Sequence, residues 1–436
     1  MTSAEGSLDR PRIAPALFGI VALCTVIALF DGYDGAAAGF SGPALLSALH
    51  LDPTLLGYIF SSSLVGMVVG SALFGMLADR FGRRPATIIS ILVFGVFTLL
   101  TGICNDVTSL IVYRLITGLG LGGALSNAVS VSSEFAPQRY RARVVSIVYS
   151  AYPMGAVLGG YLAVWLIKDF GWRSIFLVCA AAAAPLLVAV LWRFPESTRF
   201  LQASGAPADR IAAVEARFGL SAAPAEPEAA AQQGAPFIAL FAKGMAPRTL
   251  LLWLAFFVNQ VVVYFLFLWM PVALKTYGLG AQTGIVASAT QSLGGVIGAF
   301  SLAQLIDRWG PGRIMAPAYL AALALVAAVG LTASLGAPAL IITVGICGFM
   351  LNGSNVNLAS VGAALYPTSA RSTGIGWAMG VGKAGGIAGS VVGGYLLATH
   401  LPLPLLYAVA GTPLFMAAAA LWLLDRGREP TGAPPA

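Results

Sequence analysis

The chain has 436 residues, of which 58% are hydrophobic and 9% charged, with 24 Lys and Arg against 17 Asp and Glu. A soluble domain carries about 25% charged residues, so this composition, with a mean hydropathy of +0.87, excludes a soluble fold. Four Cys and two His exclude a disulfide scaffold and show no metal-ligand spacing.

A membrane helix needs about 20 predominantly apolar residues. Twelve such runs follow one another, over approximately residues 16–40, 55–78, 86–104, 108–133, 144–167, 174–192, 249–274, 282–306, 314–335, 338–363, 372–398 and 403–424. They are too long and too continuous for a transmembrane β-barrel, whose strands are alternating segments of about ten residues. No small-residue cleavage site follows the first run, so it is read as a span and not as a signal peptide. The expected organisation is a tail (1–15), a six-helix bundle (16–194), a linker (195–247), a second six-helix bundle (248–424) and a tail (425–436). Within the linker, Ile211, Val214 and Phe218 have helical spacing and predict a short amphipathic helix.

The basic residues orient the chain. Nineteen of them fall on the side of the linker and both termini, and only Lys168, Arg173 and Lys275 on the other. The positive-inside rule then places both termini in the cytoplasm of a multi-pass protein. The net charge of +7 is a topology signal, and no nucleic-acid partner is implied. Cys24, Cys104, Cys179 and Cys347 all fall within spans, as packing residues.

The two halves repeat each other. Leu77-Ala-Asp79-Arg80-Phe81-Gly82, after the second span, matches Leu305-Ile-Asp307-Arg308-Trp309-Gly310, after the eighth. Pro137 to Arg141 matches Pro367 to Arg371, and Gly159-Gly160-Tyr161-Leu162 matches Gly393-Gly394-Tyr395-Leu396. Internal repeats of this kind belong to secondary transporters, whose substrate site lies near the midplane between the repeats.

Gly75-Met-Leu-Ala-Asp79-Arg80-Phe-Gly82-Arg83-Arg84-Pro85 resembles the loop signature of the major facilitator superfamily, and Pro195-Glu196-Ser197 resembles its motif after the sixth span. The resemblance implies an all-α fold of twelve transmembrane helices in two pseudo-symmetric six-helix bundles. It further implies that Asp79 caps a neighbouring helix terminus, and that Arg80, Arg83 and Arg84 hold the halves together on the cytoplasmic side. Gly75, Gly82, Asp307 and Arg308 belong to the same conformational motif.

Four charged residues lie inside the spans: Asp31 and Asp34 in the first, Arg114 in the fourth and Lys383 in the eleventh. Each costs about 2.5–3.5 kcal/mol at a helix centre, so each needs a partner or a wet cavity. Asp31 and Asp34, three residues apart, share one side of a helix. Two carboxylates so close in a low dielectric do not readily both ionise, which suits a proton carrier. From the ends of their apolar runs, Asp34 and Arg114 lie about 8–9 Å below the same surface. That depth predicts an Asp34–Arg114 contact, with Asp31 as a competitor. Lys383, about 18 Å in from the cytoplasmic end of its span, suits an anionic substrate, or alternatively a salt bridge to Asp31 across the halves.

Asp31-Gly32-Tyr33-Asp34 resembles the first-span D-G-x-D motif of the bacterial aromatic acid:proton symporters, the permeases for 4-hydroxybenzoate, protocatechuate and benzoate. The segment from Tyr366-Pro-Thr-Ser-Ala-Arg371 through Gly376-Trp377 to Gly382-Lys383 resembles their eleventh span. The family usually carries Arg at the position of Lys383; lysine keeps the charge but lacks the planar fork. By this resemblance Asp31 and Asp34 are essential for proton-coupled uptake.

An aromatic substrate needs apolar walls and a few polar fixers. Asn259, Gln260, Tyr264 and Trp269 of the seventh span are candidates, with Asn127, Tyr152, Gln291, Asn355 and Trp377 from other spans. Gly118-Leu-Gly120-Leu-Gly-Gly123 fits G-x-G-x-x-G, but no strand precedes it, so it reads as a helix-packing surface. The expected function is a monomeric, proton-coupled importer of small aromatic carboxylates in the inner membrane, with no cofactor beyond the proton, no metal and no enzymatic activity. The alternatives are a symporter for a non-aromatic organic acid or dicarboxylate, and a transporter-like membrane receptor.

Overall fold

The computed structural model describes residues 15–218, 237–242 and 244–426. The expected tails over 1–14 and 427–436, linker residues 219–236 and Lys243 lie outside the described residues. Within them all regular structure is helical, and twelve helices are long and apolar enough to cross a membrane. The first six are Pro15–Ala48, Pro53–Phe81, Arg83–Ile103, Val107–Phe135, Arg141–Phe170 and Arg173–Arg193. The next five are Met245–Thr276, Ala281–Trp309, Pro311–Thr332, Ala337–Leu365 and Arg371–Ala398. The twelfth span is broken into Leu403–Gly411 and Pro413–Arg426, because Pro413 has no N–H to give to the helical ladder.

Most helices outrun the apolar runs that announce them. Hydropathy marks only the hydrocarbon part, whereas the helical ladder continues into the interfacial layer. The first span shows the largest difference, continuing to Ala48 through Pro43. Beyond the sixth span, the amphipathic helix expected around Ile211 is present as Ala208–Phe218. Its Phe218 is buried against Phe135, ring centres 4.7 Å apart. Two short helices went unread in the sequence, Thr198–Ala203 and the 3-10 turn Phe237–Phe241; both are too short for periodicity to reveal.

Packing repeats across the two halves. The second span runs along the fourth and the first along the fifth; correspondingly, the eighth runs along the tenth and the seventh along the eleventh. Gly118 and Gly122 face the Ser63 and Met67 carbonyls with no room for a Cβ, so the glycine run of the fourth span is a packing surface. Both copies of the loop repeat reverse direction on a glycine with positive φ, Gly82 at +101° and Gly310 at +82°, a conformation that a Cβ disfavours.

The halves meet through the second and eleventh spans, the fifth and eighth, and the first and seventh. The molecule has two ends: the linker face, where the sixth and seventh spans are joined, and the far face. At the far face the contact is tight. Lys275 Nζ donates to the Pro43 carbonyl at 2.9 Å, the Tyr58 and Tyr395 hydroxyls lie 3.1 Å apart, and Phe60 packs edge-on against Trp269. A Cβ on Gly57 would stand 3.0 Å from the Ser390 carbonyl oxygen, and one on Gly394 2.6 Å from that of Pro53.

Among the described residues the opposite end is open. Gly394, Ser390, Lys383, Gly380 and Gly376 succeed one another at seven- and four-residue steps or less, along one face of the eleventh span. Gly394 and Ser390 are sealed against the second span, whereas Gly376, Gly380 and Lys383 are exposed and a Cβ on either glycine would meet nothing. The halves therefore form a wedge closed at the far face and open toward the linker face. Gly394→Leu is expected to force the far seal apart. A cysteine placed at buried Leu56 should then react with a membrane-impermeant maleimide several-fold faster than in the parent; unchanged labelling would refute the seal. The four native cysteines are buried.

Candidate functional site

Asp31 and Asp34 sit mid-helix on the first span, and three residues turn a helix by about 300°, some 60° short of a full turn. That offset separates their environments. Asp34 turns toward the fourth span, where Arg114 Nη1 donates to both carboxylate oxygens at 2.9 and 2.8 Å. Arg114 Nη2 donates to the Asp34 carbonyl at 3.3 Å and to Ser63 Oγ at 3.2 Å. The guanidinium lies over the Phe176 ring at 5.6 Å, and both charged side chains are 1% exposed or less. The pair thus ties the first, second, fourth and sixth spans together.

The contact expected from depth is present, although the helix itself continues well past the end of the apolar run. Asp34 lies 14 residues, about 21 Å, before the helix end at Ala48. Ser63 and Phe176 were not singled out in the sequence; a serine and a phenylalanine in apolar helices carry no signal of their own.

Asp31 does not compete for Arg114. It is 1% exposed and neither oxygen has a hydrogen-bond partner among the described residues. The cation in its field is Lys383 on the eleventh span, in the opposite half. Lys383 is exposed to the open part of the wedge, and no carboxylate lies within 4.0 Å of it among the described residues. Tyr152 of the fifth span and Tyr264 of the seventh face each other through their hydroxyls, and both lie in the electrostatic field of Asp31 without bonding it. Asp31, Tyr152, Tyr264 and Lys383 therefore converge from four spans and both halves. Gln260 borders this group, since a Cβ on Gly382 would lie 3.4 Å from its Cγ.

The other expected lining residues are placed differently. Asn259 Nδ2 donates to Asn355 Oδ1 at 2.8 Å, and Tyr319 donates its hydroxyl to Asn259 Oδ1 at 3.0 Å. These amides knit the seventh, ninth and tenth spans within one half, because a buried amide is most stable with a protein partner. Trp269 donates Nε1 to the Ser390 carbonyl at 2.9 Å and belongs to the far seal. Trp377 is exposed near the linker face, stacked on Trp253 with ring centres 6.3 Å apart. Gln291 is fully buried with neither end of its amide paired, and Asn127 Nδ2 and Gln260 Oε1 are likewise buried without partners. An unpaired buried polar group costs about 1–3 kcal/mol, which marks these amides apart from Asn259 and Asn355.

The loop motif departs from what the resemblance implies. The third-span N-terminus is capped by Glu196 and not by Asp79. Glu196 Oε1 accepts from the backbone N–H of Arg83 at 2.7 Å, of Arg84 at 3.3 Å and of Ser197 at 2.9 Å. The missing side chain at Gly82 is what lets that carboxylate approach. Arg83 stands 3.8 Å from Glu134, and Arg84 Nη2 donates to the Leu191 carbonyl at 2.6 Å. Among the described residues these contacts stay inside the first half, in place of the link between halves that the resemblance implies. In the second half Asp425 takes the place of Glu196, its carboxylate pressed against Gly312 at the start of the ninth span. Arg80 and Arg308 lie over the rings of their neighbours Phe81 and Trp309.

Arg114→Met leaves the Asp34 carboxylate buried and unpaired, and is expected to destabilise the protein by about 3–5 kcal/mol. The double variant with Asp34→Asn should regain most of that loss. Thermal melting in detergent checks both, and equal melting temperatures for the single variant and the parent would show that the pair is not structural.

The Major Facilitator Superfamily model matches residues 23–377. The chain is 36% identical over 433 residues to the gallate transporter of Pseudomonas putida, covering 98% of this chain and 96% of that one. It is 33% identical over 413 residues to the 4-hydroxybenzoate transporter PcaK of Acinetobacter baylyi, covering 93% and 90%. Its fold is similar to the crystal structure of a D-xylose-proton symporter, with a TM-score of 0.74 at 19% identity, covering 93% of this chain and 97% of that one. Twelve spans in two matching halves, the repeated loop motif and these similarities agree, and the chain belongs to the Major Facilitator Superfamily.

Proposed function

We propose that this protein is a proton-coupled symporter that imports small aromatic carboxylates of the gallate and hydroxybenzoate class across the inner membrane. The observation that carries the reading is a buried, unpartnered Asp31 facing Lys383 across the wedge between the halves. The names of two relatives, a gallate and a 4-hydroxybenzoate transporter, support the substrate class. The basic residues crowd the linker face, which supports a cytoplasmic placement for it and for both termini.

In this reading residues 16–194 and 248–424 rock against each other, with 195–247 connecting them. A single copy carries the whole path, and the proton is the only co-transported species. An ionised Asp31 holds the Lys383 ammonium by electrostatic attraction. A proton on Asp31 removes that attraction and frees Lys383 for the substrate carboxylate, so proton and substrate enter together. Tyr152 and Tyr264 offer hydroxyls beside the same point, and Gln260 and Gln291 can meet ring hydroxyls. Asp34 keeps Arg114 neutralised throughout and holds the first bundle rigid. A dicarboxylate would call for a second free cation in the wedge, and Arg114 is committed to Asp34. One proton with one monoanion moves no net charge, so the membrane potential, worth about 2.3 kcal/mol per charge per 100 mV, adds no driving force at that ratio.

The test is uptake of radiolabelled gallate and 4-hydroxybenzoate into proteoliposomes, with and without an inward proton gradient. Gradient-driven accumulation is expected, lost in Asp31→Asn while substrate exchange at equal concentrations persists. Lys383→Ala should lose substrate binding itself. Accumulation without a gradient, or unimpaired in Asp31→Asn, would overturn proton coupling through that residue. Failure of both compounds to accumulate with folded protein would overturn the substrate class.

A further inference from the structure

Away from the wedge, at the linker face of the first half, four stretches of chain converge on a cavity of about 280 Å³. Arg83, Ser130, Ser133, Glu134, Arg141 and Arg199 line it. Its one carboxylate is already occupied. Glu134 accepts from Ser197 Oγ at 2.9 and 2.8 Å, from Thr198 Oγ1 at 2.8 Å and from the Arg199 backbone N–H at 3.1 Å, with Arg83 Nε at 3.8 Å. The guanidinium groups of Arg141 and Arg199 have no hydrogen-bond or ion-pair partner among the described residues, and Arg141 Nε is buried without an acceptor. Arg141 also opens the 30-residue fifth span, whose N-terminus carries no side-chain cap. Three guanidinium groups against one carboxylate leave two positive charges uncompensated, and the partial charge of a helix N-terminus adds to them.

We propose that this cavity binds a phosphoryl dianion, either free phosphate or the phosphomonoester headgroup of a lipid at the membrane surface. A dianion neutralises both excess charges, where a monocarboxylate leaves one. Guanidinium forks and unpaired backbone N–H groups at a helix start are the donors that phosphate oxygens match, and the Ser130 hydroxyl adds a third kind. The cavity has room for a tetrahedral anion and retained water. No residue of the proposed transport path lines it, so occupancy is independent of the reading of Lys383 and Asp31.

Two arms separate the sources. Full-length protein in detergent is titrated with inorganic phosphate by isothermal calorimetry, and protein in nanodiscs containing phosphatidic acid or phosphatidylcholine alone is examined for retained lipid by native mass spectrometry. Binding in the first arm identifies a soluble anion, and selective retention of phosphatidic acid in the second identifies a headgroup. In either arm Arg141→Gln or Arg199→Gln should weaken binding by about tenfold, the loss of one charge-assisted contact, and Arg199→Lys should restore part of it. Arg199 is exposed and engaged only through its backbone, so Arg199→Gln tests the site even if Arg141→Gln does not fold. Absence of binding in both arms, or binding unchanged in Arg199→Gln, overturns the proposal. So does 4-hydroxybenzoate binding that weakens in Arg199→Gln as much as phosphate binding does, which would make this a general carboxylate site.

Discussion

A charge carried into hydrocarbon must be neutralised or wetted, and in this protein that demand organises the interior. Asp34 and Arg114 meet it by neutralising each other in a dry setting, with Ser63 and the Phe176 ring completing the guanidinium's surroundings. Because the pair draws on four spans, the first bundle cannot shear without exposing an unpaired charge. Lys383 meets the same demand in the other way, exposed to open space, whereas Asp31 is buried with neither oxygen bonded among the described residues. They lie on opposite halves, beside a space open to one face, and neither has a bonded partner of opposite charge. One pair consolidates a half; the other places opposite charges on the two halves without a bond between them.

That division follows from the geometry of a single helix. Two carboxylates three residues apart are close enough to influence each other, yet the 60° between them aims one into its own bundle and the other at the partner bundle. The same economy recurs at the helix ends. Glu196 and Asp425, at equivalent points after the sixth span and at the end of the twelfth, each lie over the start of a span where glycine leaves space. In the first half Glu196 accepts from the exposed N–H groups of a helix start, and in the second half the Asp425 carboxylate occupies the matching place against Gly312. Each half is then a self-contained unit, and its contacts with the other are left to the far face.

At that face, small residues set the distance of approach. Gly57 and Gly394 bring backbone against backbone, and Trp269 fills the space beneath, held by the Ser390 carbonyl. Contacts of this kind are made or broken as a surface, which suits a seal that must open as a whole. Among the described residues the face toward the linker has no such belt, and there Arg83 turns to Glu134 and Arg84 to the Leu191 carbonyl, both within the first half.

The number of spans, their order, the two-fold repeat and the identity of the four intramembrane charges were legible in the sequence, because hydrocarbon tolerates so little departure from apolar helix that each departure stands out. Even the Asp34–Arg114 contact was legible, since depth in a bilayer is one coordinate that chain position supplies directly. What chain position cannot supply is rotation about the helix axis and the identity of the neighbour across it. Asn259, Asn355 and Trp269 are polar or aromatic at a suitable depth, yet only packing decides that two bond each other and the third seals the far face. Likewise Glu196 displaces Asp79 as the cap because the chain after the sixth span folds back onto Gly82, a contact between residues more than a hundred positions apart. Membrane fold, repeat and the residues that carry charge at depth all follow from the order of amino acids along the chain. The tertiary structure alone decided which of those residues look into a bundle and which look across the gap, because a side chain's bearing around its helix is fixed by the neighbours that pack against it.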